Sequence, residues 1–559
     1  MQKNYLPQFF SSYGINHFKV DMPLQLALRY AGLSEHYWEH LEDLGEYVGR
    51  DLLEIVDYID RTSRPLLHQW DIVGNRIDWV RLNPAHRQML ENLMSRGIVY
   101  RTFREKDPWQ VHFAMGYLIA DPGVYCTITV TQQTAYALYK YADSSLLEKF
   151  LPHYLTQDGK KAWYGATFYT EVQGGSDLGA NRAVARKVGD HWVIDSPDKY
   201  FASNAGIADA ALITARPEGN PPGAKGIALF FVPALREDGS PNYHLRRLKD
   251  KLATRAVPSS ELEMNTSEAY LLGKIEHGIY QALEVLTVAR LANSAAAAGI
   301  ARKAYLEAYH FVQKRSAFGK RLIEHPLIQK DLLEMEVEIE ANLILLVKAI
   351  EAFDDCWESR PPYDADYFYA RLLTHLVKNI SAEMSARVTQ LALELHGGNG
   401  FIEDFPVARW HREALVLPIW EGGSNIQALD MLEVIIKKQA HEMLFSKLES
   451  TLAQLPGSSL TATVGAYLTS VKNRIPEIIA SGASDMQYAA KDLLIELGTC
   501  ASAVFLLEAA EKMQTENTDH RFRKVAELYI RKFIERKPLS IELIKGALPV
   551  IQIEKPVAH

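Results

Sequence analysis

Two long stretches of helical periodicity are split by a run of short apolar segments, and that interruption is what most limits the fold. From about residue 25 to 160, apolar residues recur at helical spacing, as in Tyr37, Leu41, Leu44, Val48 and Leu52. Near Lys161 the pattern shortens to His191–Asp195, Ala208–Ala215 and Gly226–Pro233, bounded by loops rich in Gly, Pro, Asn and Asp. After Gly273 amphipathic helical patterns return, at about 327–355, 366–396 and 426–446. A 3.6-residue period does not hold one face as a strand, nor a two-residue period as a helix, so these segments cannot trade roles. The expected class is α+β, mainly α. It comprises an N-terminal helical domain (1–160), a central small β-barrel (161–275), a C-terminal four-helix bundle (276–445) and an extra helical module (446–559). Small residues in Leu291–Ala301 permit close helix approach, and Pro456-Gly457-Ser458-Ser459 reads as a linker.

Composition narrows the function. With 559 residues, 48% hydrophobic and 23% charged, the chain is an ordinary globular protein of several domains. A net charge of −8 does not announce a nucleic-acid binder. Cys126, Cys356 and Cys500 are widely spaced, with no C-x-x-C and no Cys/His cluster. No metal site and no disulfide framework are expected, which suits a reducing, cytoplasmic setting. The first residues lack an apolar signal core, and no continuous apolar run reaches the ~18 residues of a membrane span.

The chemistry concentrates in five places. In Leu417–Gln427, Glu421 follows Trp420 in an apolar setting and precedes Gly422-Gly423-Ser424-Asn425. An apolar environment raises a carboxylate's pKa, which suits a base that takes a proton from a weakly acidic C–H. The turn offers backbone N–H groups suited to phosphate. The loop Thr167–Asp177 holds Tyr169, Thr170, Gly175 and Ser176, with hydroxyls and amides for a heterocycle and a phosphate. Asp198–Gly206 places Phe201, an aromatic plane, two residues before the Ser203 hydroxyl, with Ala202 between. Arg315–Lys320 offers the forked guanidinium of Arg315 beside Phe318. Glu394–Phe401 carries Gly397, Gly398 and Gly400, which permit close approach of a backbone or cofactor. Taken singly, each of the five also reads as an ordinary turn, cap or strand end.

Their order resembles the acyl-CoA dehydrogenase superfamily over about Lys161–Gln439. Tyr169–Asp177, Ile419–Gly422 with Asn425-Ile426, and the upstream His68–Val80 resemble its AidB branch, which carries an extra C-terminal helical module. The resemblance implies FAD and the α,β-dehydrogenation of an acyl-CoA or related thioester. It implies Glu421 as base, with Arg290 near it as a cation that holds it ionised. It also implies a cofactor site that draws on Tyr169, Thr170, Gly175, Ser176, Phe201, Ala202, Ser203, Trp420, Gly422, Gly423 and Asn425. Phe318, Gly397 and Gly398 belong to the same cofactor-binding set, and Arg315 would reach a neighbouring subunit's cofactor, so a homo-oligomer, a tetramer, is implied. An electron-transfer flavoprotein is the kind of acceptor expected. Gly423 stands where many relatives carry a hydroxyl residue, and Glu394 where many carry Gln. A second reading follows from the AidB branch: a flavoprotein of the alkylation stress response that binds DNA and turns over little. Its support is the basic concentration from Arg521 to Lys537, which also reads as a solvated helix face. A direct oxidase is a third reading, inseparable from a dehydrogenase at this level.

Overall fold

The computed structural model describes residues 11–189, 191–514 and 520–553. The N-terminal region holds α1 (Met22–Tyr30), α2 (Trp38–Tyr47), α3 (Leu53–Thr62), α4 (Pro84–Ser95), α5 (Trp109–Ile119), α6 (Pro122–Tyr141) and α7 (Ser144–Tyr154). Leu41, Leu44, Val48 and Leu52 are buried, as their spacing predicts, and the helix through them passes a π-helical turn at Val48–Leu52. The region is not wholly helical, which corrects the sequence expectation. β1 (Leu66–Trp70) and β2 (Arg76–Arg81) form an antiparallel hairpin. In β2 the side chains alternate: Asp78 and Val80 are buried, and Ile77 and Trp79 are exposed. That two-residue period is the strand signal inside a segment whose neighbours are helical.

The middle of the chain forms β3 (Val184–Val188), β4 (His191–Ser203), β5 (Ala210–Pro217), β6 (Ala228–Pro233), β7 (His244–Leu248) and β8 (Ser259–Leu272). The order β4-β3-β5-β6-β8 closes through a β4–β8 pairing, giving a five-stranded barrel with β7 on β8. Ile194, Ile213, Phe230, Val232 and Leu262 fill its interior. The opposite faces of β5 and β6, through Leu212, Leu229 and Phe231, join the main helical core. Both strands are therefore nearly continuous apolar runs.

The bundle consists of α8 (Gly278–Lys314), α9 (Pro326–Asp354), α10 (Ala365–His396), α11 (Pro406–Ala414), α12 (Ser424–Lys438) and α13 (Ala440–Gln454). The small-residue run in α8 is buried. At Gly299 an added Cβ would sit 2.0 Å from the Tyr117 carbonyl oxygen of α5. The pattern at 426–446 is two helices rather than one, because Gln439 between them has φ +52°. A domain limit at 445 therefore falls inside α13. The C-terminal module continues with α14 (Ser459–Ala480), α15 (Ala483–Lys512), α16 (Arg521–Tyr529) and α17 (Ile541–Ala547). Ser458 caps α14 by accepting from the Thr461 amide.

The module is clamped to the bundle by buried ions. Arg521 of α16 pairs with Glu336 and Glu340 of α9, and Arg302 of α8 pairs with Glu336 (2.7 Å) and with Asp21 (3.2 Å). Burial pushes the Glu340 carboxyl up to about 7, with Arg521 opposing. By length and hydropathy, α8 and α15 each qualify as a membrane span, although neither is a continuous apolar run. Their apolar windows are 89% and 78% buried within the protein, as in core helices.

Candidate active site

Glu421 lines a narrow cleft between α6 and α8, of about 320 Å³ including its mouth, together with Trp420, Asn293 and Cys126. The carboxyl is packed round by protein yet reached from the cleft, so the residue is half-buried. Its backbone is strained: Glu421 has φ +57° and Gly422 has φ +89°. Three side chains hold this kink through four hydrogen bonds. Arg290 Nε and Gln427 Nε2 both donate to the Glu421 carbonyl at 3.0 Å, while Lys378 Nζ (2.7 Å) and Gln427 Nε2 (2.9 Å) donate to the Gly422 carbonyl. Gln427 Oε1 lies 2.9 Å from His375 Nδ1. Burial pushes His375 down to about 3, so the ring is neutral and Nδ1 carries the proton to that oxygen. A Cβ at Gly422 would meet Gln427 Nε2 at 2.8 Å in addition to its unfavourable φ. Gly422→Ala is expected to cost about 1–3 kcal/mol of stability, measured as a lowered denaturant midpoint.

The electrostatics follow from burial opposed by cations. Burial raises the Glu421 carboxyl above its ordinary value, and Arg290 and Lys378 pull it back. Lys378 is itself pushed down to about 7 by burial, with Arg290 adding to the effect. Arg290 is buried and does not bond the Glu421 carboxyl. Its guanidinium is committed to the Glu421 carbonyl and to Asp430, 2.8 Å away. It positions the loop and supplies positive charge that opposes the effect of burial on Glu421. Burial pushes Asp430 up, but Arg290, His375 and Arg371 outweigh that and hold it below its ordinary value.

The Thr170 loop and the end of β4 are brought together. Fully buried Glu171 pairs with fully buried Lys199 at 3.0 Å and accepts from the amides of Arg182 (2.6 Å) and Ala183 (3.1 Å). The Tyr200 amide donates to the Thr170 carbonyl at 3.0 Å. Asn181 Nδ2 donates to the Tyr169 carbonyl at 2.9 Å. Gly175 and Ser176 are exposed beside Thr170, Phe201 is 54% exposed, Ala202 is buried and Ser203 half-buried. Cys126 lines the same cleft as Glu421, and burial pushes its thiol up to about 12, with the Lys251 charge opposing and the Glu421 charge adding.

Other expected site residues lie elsewhere. Arg290 and Arg315 are about 25 positions apart on or just beyond α8, hence about 37 Å apart along its axis. The Phe311 and His396 rings stack with centroids 4.3 Å apart, so Arg315, Phe318, Gly397 and Gly398 share that far end. Arg315, Gly397 and Gly398 are exposed there, and Phe318 is 97% exposed. Gly423 is the N-cap of α12, Asn425 is exposed in its first turn, and no side chain caps the helix. The sequence reading did not single out Lys378, His375, Asp430 or Asn293 for this site. The available signal was a run of polar residues, Thr374, His375, Lys378 and Asn379, interleaved with the apolar Leu372, Leu373, Leu376 and Val377 on α10. Among the described residues no group of three or more His, Cys, Asp or Glu is placed to hold a metal ion.

Three family descriptions match in chain order: "Adaptive response protein AidB N-terminal domain" at 8–158, "Acyl-CoA dehydrogenase, middle domain" at 166–267 and "Acyl-CoA dehydrogenase, C-terminal domain" at 276–436. A short-chain specific acyl-CoA dehydrogenase of Clostridium acetobutylicum is 33% identical over 49% of this chain and 69% of its own. A putative acyl-CoA dehydrogenase AidB of Escherichia coli K12 is 28% identical over 72% of this chain and 74% of its own. The crystal structure of Caenorhabditis elegans ACDH-11 in complex with C11-CoA superposes with a TM-score of 0.86 at 22% identity, covering 97% of this chain and 95% of that one. With a barrel between helical domains and a strained carboxylate loop at the cleft, the chain belongs to the acyl-CoA dehydrogenase superfamily, in its AidB-like branch, and is an oxidoreductase of the acyl-CoA dehydrogenase type.

Proposed function

We propose that the protein is an FAD-dependent enzyme that removes the α and β hydrogens of an acyl-CoA or related thioester. The observation that carries this reading is the Glu421 carboxyl, raised by burial and held on a strained loop at an apolar cleft. The residues present suit FAD. Gly175 is a cradle that a Cβ would fill, 2.4 Å from Thr170 Oγ1. The buried Tyr169 hydroxyl has no partner among the described residues. Phe201 is 54% exposed, with Lys249 Nζ 4.6 Å from its ring centroid, and the first turn of α12 lacks a side-chain cap. A bound FAD supplies the acceptor for two electrons and the β hydrogen. Glu421 takes the α-proton, and the apolar cleft wall excludes water from that transfer. Arg290 and Lys378 keep Glu421 ionised and its loop in place.

Because Glu421 acts as a base, kcat/KM is expected to fall as pH drops through its raised pKa. Lys378→Met removes a cation that lowers that pKa, so the acid limb should move to higher pH. The effect of Lys378 is largest below neutrality, where it is charged, since its own pKa is about 7. A pH profile of kcat/KM for both proteins decides this, and an unmoved limb refutes the assigned role of Lys378. The substrate reading is tested by an acyl-CoA panel scored by bleaching of flavin absorbance without oxygen.

A homo-oligomer, in the form of a tetramer, completes the cofactor site from a neighbour. The support is that Arg315, Phe318, Gly397 and Gly398 are exposed about 37 Å along α8 from Arg290, too far to act on the cleft of their own chain. An electron-transfer flavoprotein is the proposed acceptor. Part of the basic concentration behind the DNA-binding reading is committed to ion pairs, while Arg523 and Arg536 are exposed. Arg521 is buried in its carboxylate cluster, Lys532 pairs with Glu334 and Glu338, and Arg531 and Lys537 pair with Glu535. Duplex DNA titrated at increasing salt is expected to show no affinity slope. A slope corresponding to several phosphates would restore the second reading.

A further inference from the structure

The cleft wall holds two buried polar groups that the dehydrogenation chemistry above does not use, the Asn293 amide and the Tyr125 hydroxyl. Asn293 of α8 is 4% exposed and lines the cleft together with Glu421. Its Oδ1 accepts the indole N–H of Trp420. Indole is a donor only, so this bond fixes the amide orientation and leaves Nδ2 as the free polar end. Nδ2 has no acceptor among the described residues. Around it the wall is mostly apolar: Ala289, Ala292 and Ala296 lie on the same helix, and Val130 lines it from α6, where Tyr125 and Thr129 add two hydroxyls. A saturated alkyl chain seated here would seal a buried N–H away from any acceptor, which is unfavourable. A chain oxygen would satisfy it. Sites built around one buried polar group discriminate strongly against analogues that lack its partner.

We infer that the preferred substrate is an acyl thioester whose chain carries an acceptor oxygen, as ether, hydroxyl or carbonyl, recognised by Asn293 Nδ2. The inference rests on the proposed thioester dehydrogenation. That reaction needs carbon at both α and β, so the oxygen lies at γ or beyond. Asn293 thus acts as a specificity residue, separate from the proton-transfer group.

The test uses the FAD-loaded protein and pairs of acyl-CoA thioesters. Each pair matches an all-carbon chain with an isostere in which one methylene, at γ, δ or ε, is replaced by an ether oxygen. For the protein as it stands, one oxa position should exceed its all-carbon partner by about tenfold or more in kcat/KM. Asn293→Leu should abolish or reverse that preference. Asn293→Asp keeps an acceptor for Trp420 but carries no N–H, and should abolish it too, which separates the lost donor from a disturbed Trp420. The same pairs are titrated calorimetrically into Glu421→Gln, where binding is read without turnover. Equal handling of oxa and all-carbon chains at every position, or a preference that survives both Asn293 variants, overturns the inference. A clear binding preference for the oxa chains without turnover in the Glu421 protein would sustain it while refuting the dehydrogenation reading. Absence of binding by every thioester refutes both.

Discussion

Glu421→Gln is expected to retain bound flavin and lose about 10²–10⁴-fold in kcat on a true substrate, the span typical of a positioned general base. The substitution keeps volume and polarity. The three side chains that hold the kink bond to the carbonyls of Glu421 and Gly422, not to the Glu421 side chain. The loop should therefore stand, and thermal stability should stay near that of the parent or rise slightly, because a buried carboxylate penalised by desolvation is removed. Stopped-flow bleaching of the flavin, together with a flavin-to-protein absorbance ratio, separates the chemical step from cofactor loss. Near-normal turnover in this variant would take Glu421 out of the mechanism.

Lys199→Met should be the most destabilising single change considered, at about 3–5 kcal/mol, because it strands the Glu171 carboxylate without its cation. Burial already holds Lys199 below its ordinary pKa, with Glu171 opposing that shift. The effect should reach the site. The same carboxylate gathers the Arg182 and Ala183 amides and anchors the loop that carries Thr170, Gly175 and Ser176. Purified Lys199→Met should therefore bind FAD more weakly as well as unfold at lower denaturant. Lys199→Met combined with Glu171→Gln should recover only part of the loss: it removes the stranded charge but leaves a single acceptor for two amides. A stability change under about 1 kcal/mol in the single variant would show that the pair is not what secures the loop.

Much of the architecture was legible from periodicity. The three strand segments read around 191–233 are β4, β5 and β6, and the patterns at 327–355 and 366–396 coincide with α9 and α10. The failures have local causes. The hairpin β1–β2 was absorbed into a helical reading because its alternation is short and lies among helices. The break at Gln439 depends on a left-handed residue that carries no glycine signal. The strands β3, β7 and β8 escaped because their outer faces are charged and exposed, as at Lys187, Arg246 and Arg247.

The functional loop divides the same way. Local sequence marked Trp420-Glu421-Gly422, since a carboxylate between an aromatic and a glycine pair is a local pattern. It also marked the loops at Thr170 and Ser203. What holds Glu421 is not local. Arg290 lies 131 residues from the carbonyl it bonds, Lys378 lies 44 from its own, and Asp430 lies 140 from the Arg290 it restrains. Partners at such separations are chosen by how α8, α10 and α12 pack, and no short-range periodicity encodes that choice. The distance from Arg290 to Arg315 is set by the unbroken rise of α8, which turns neighbouring motifs of one chain into groups that face different cofactors. Periodicity reports which face of a segment is buried; only the packed helices decide which buried charges meet.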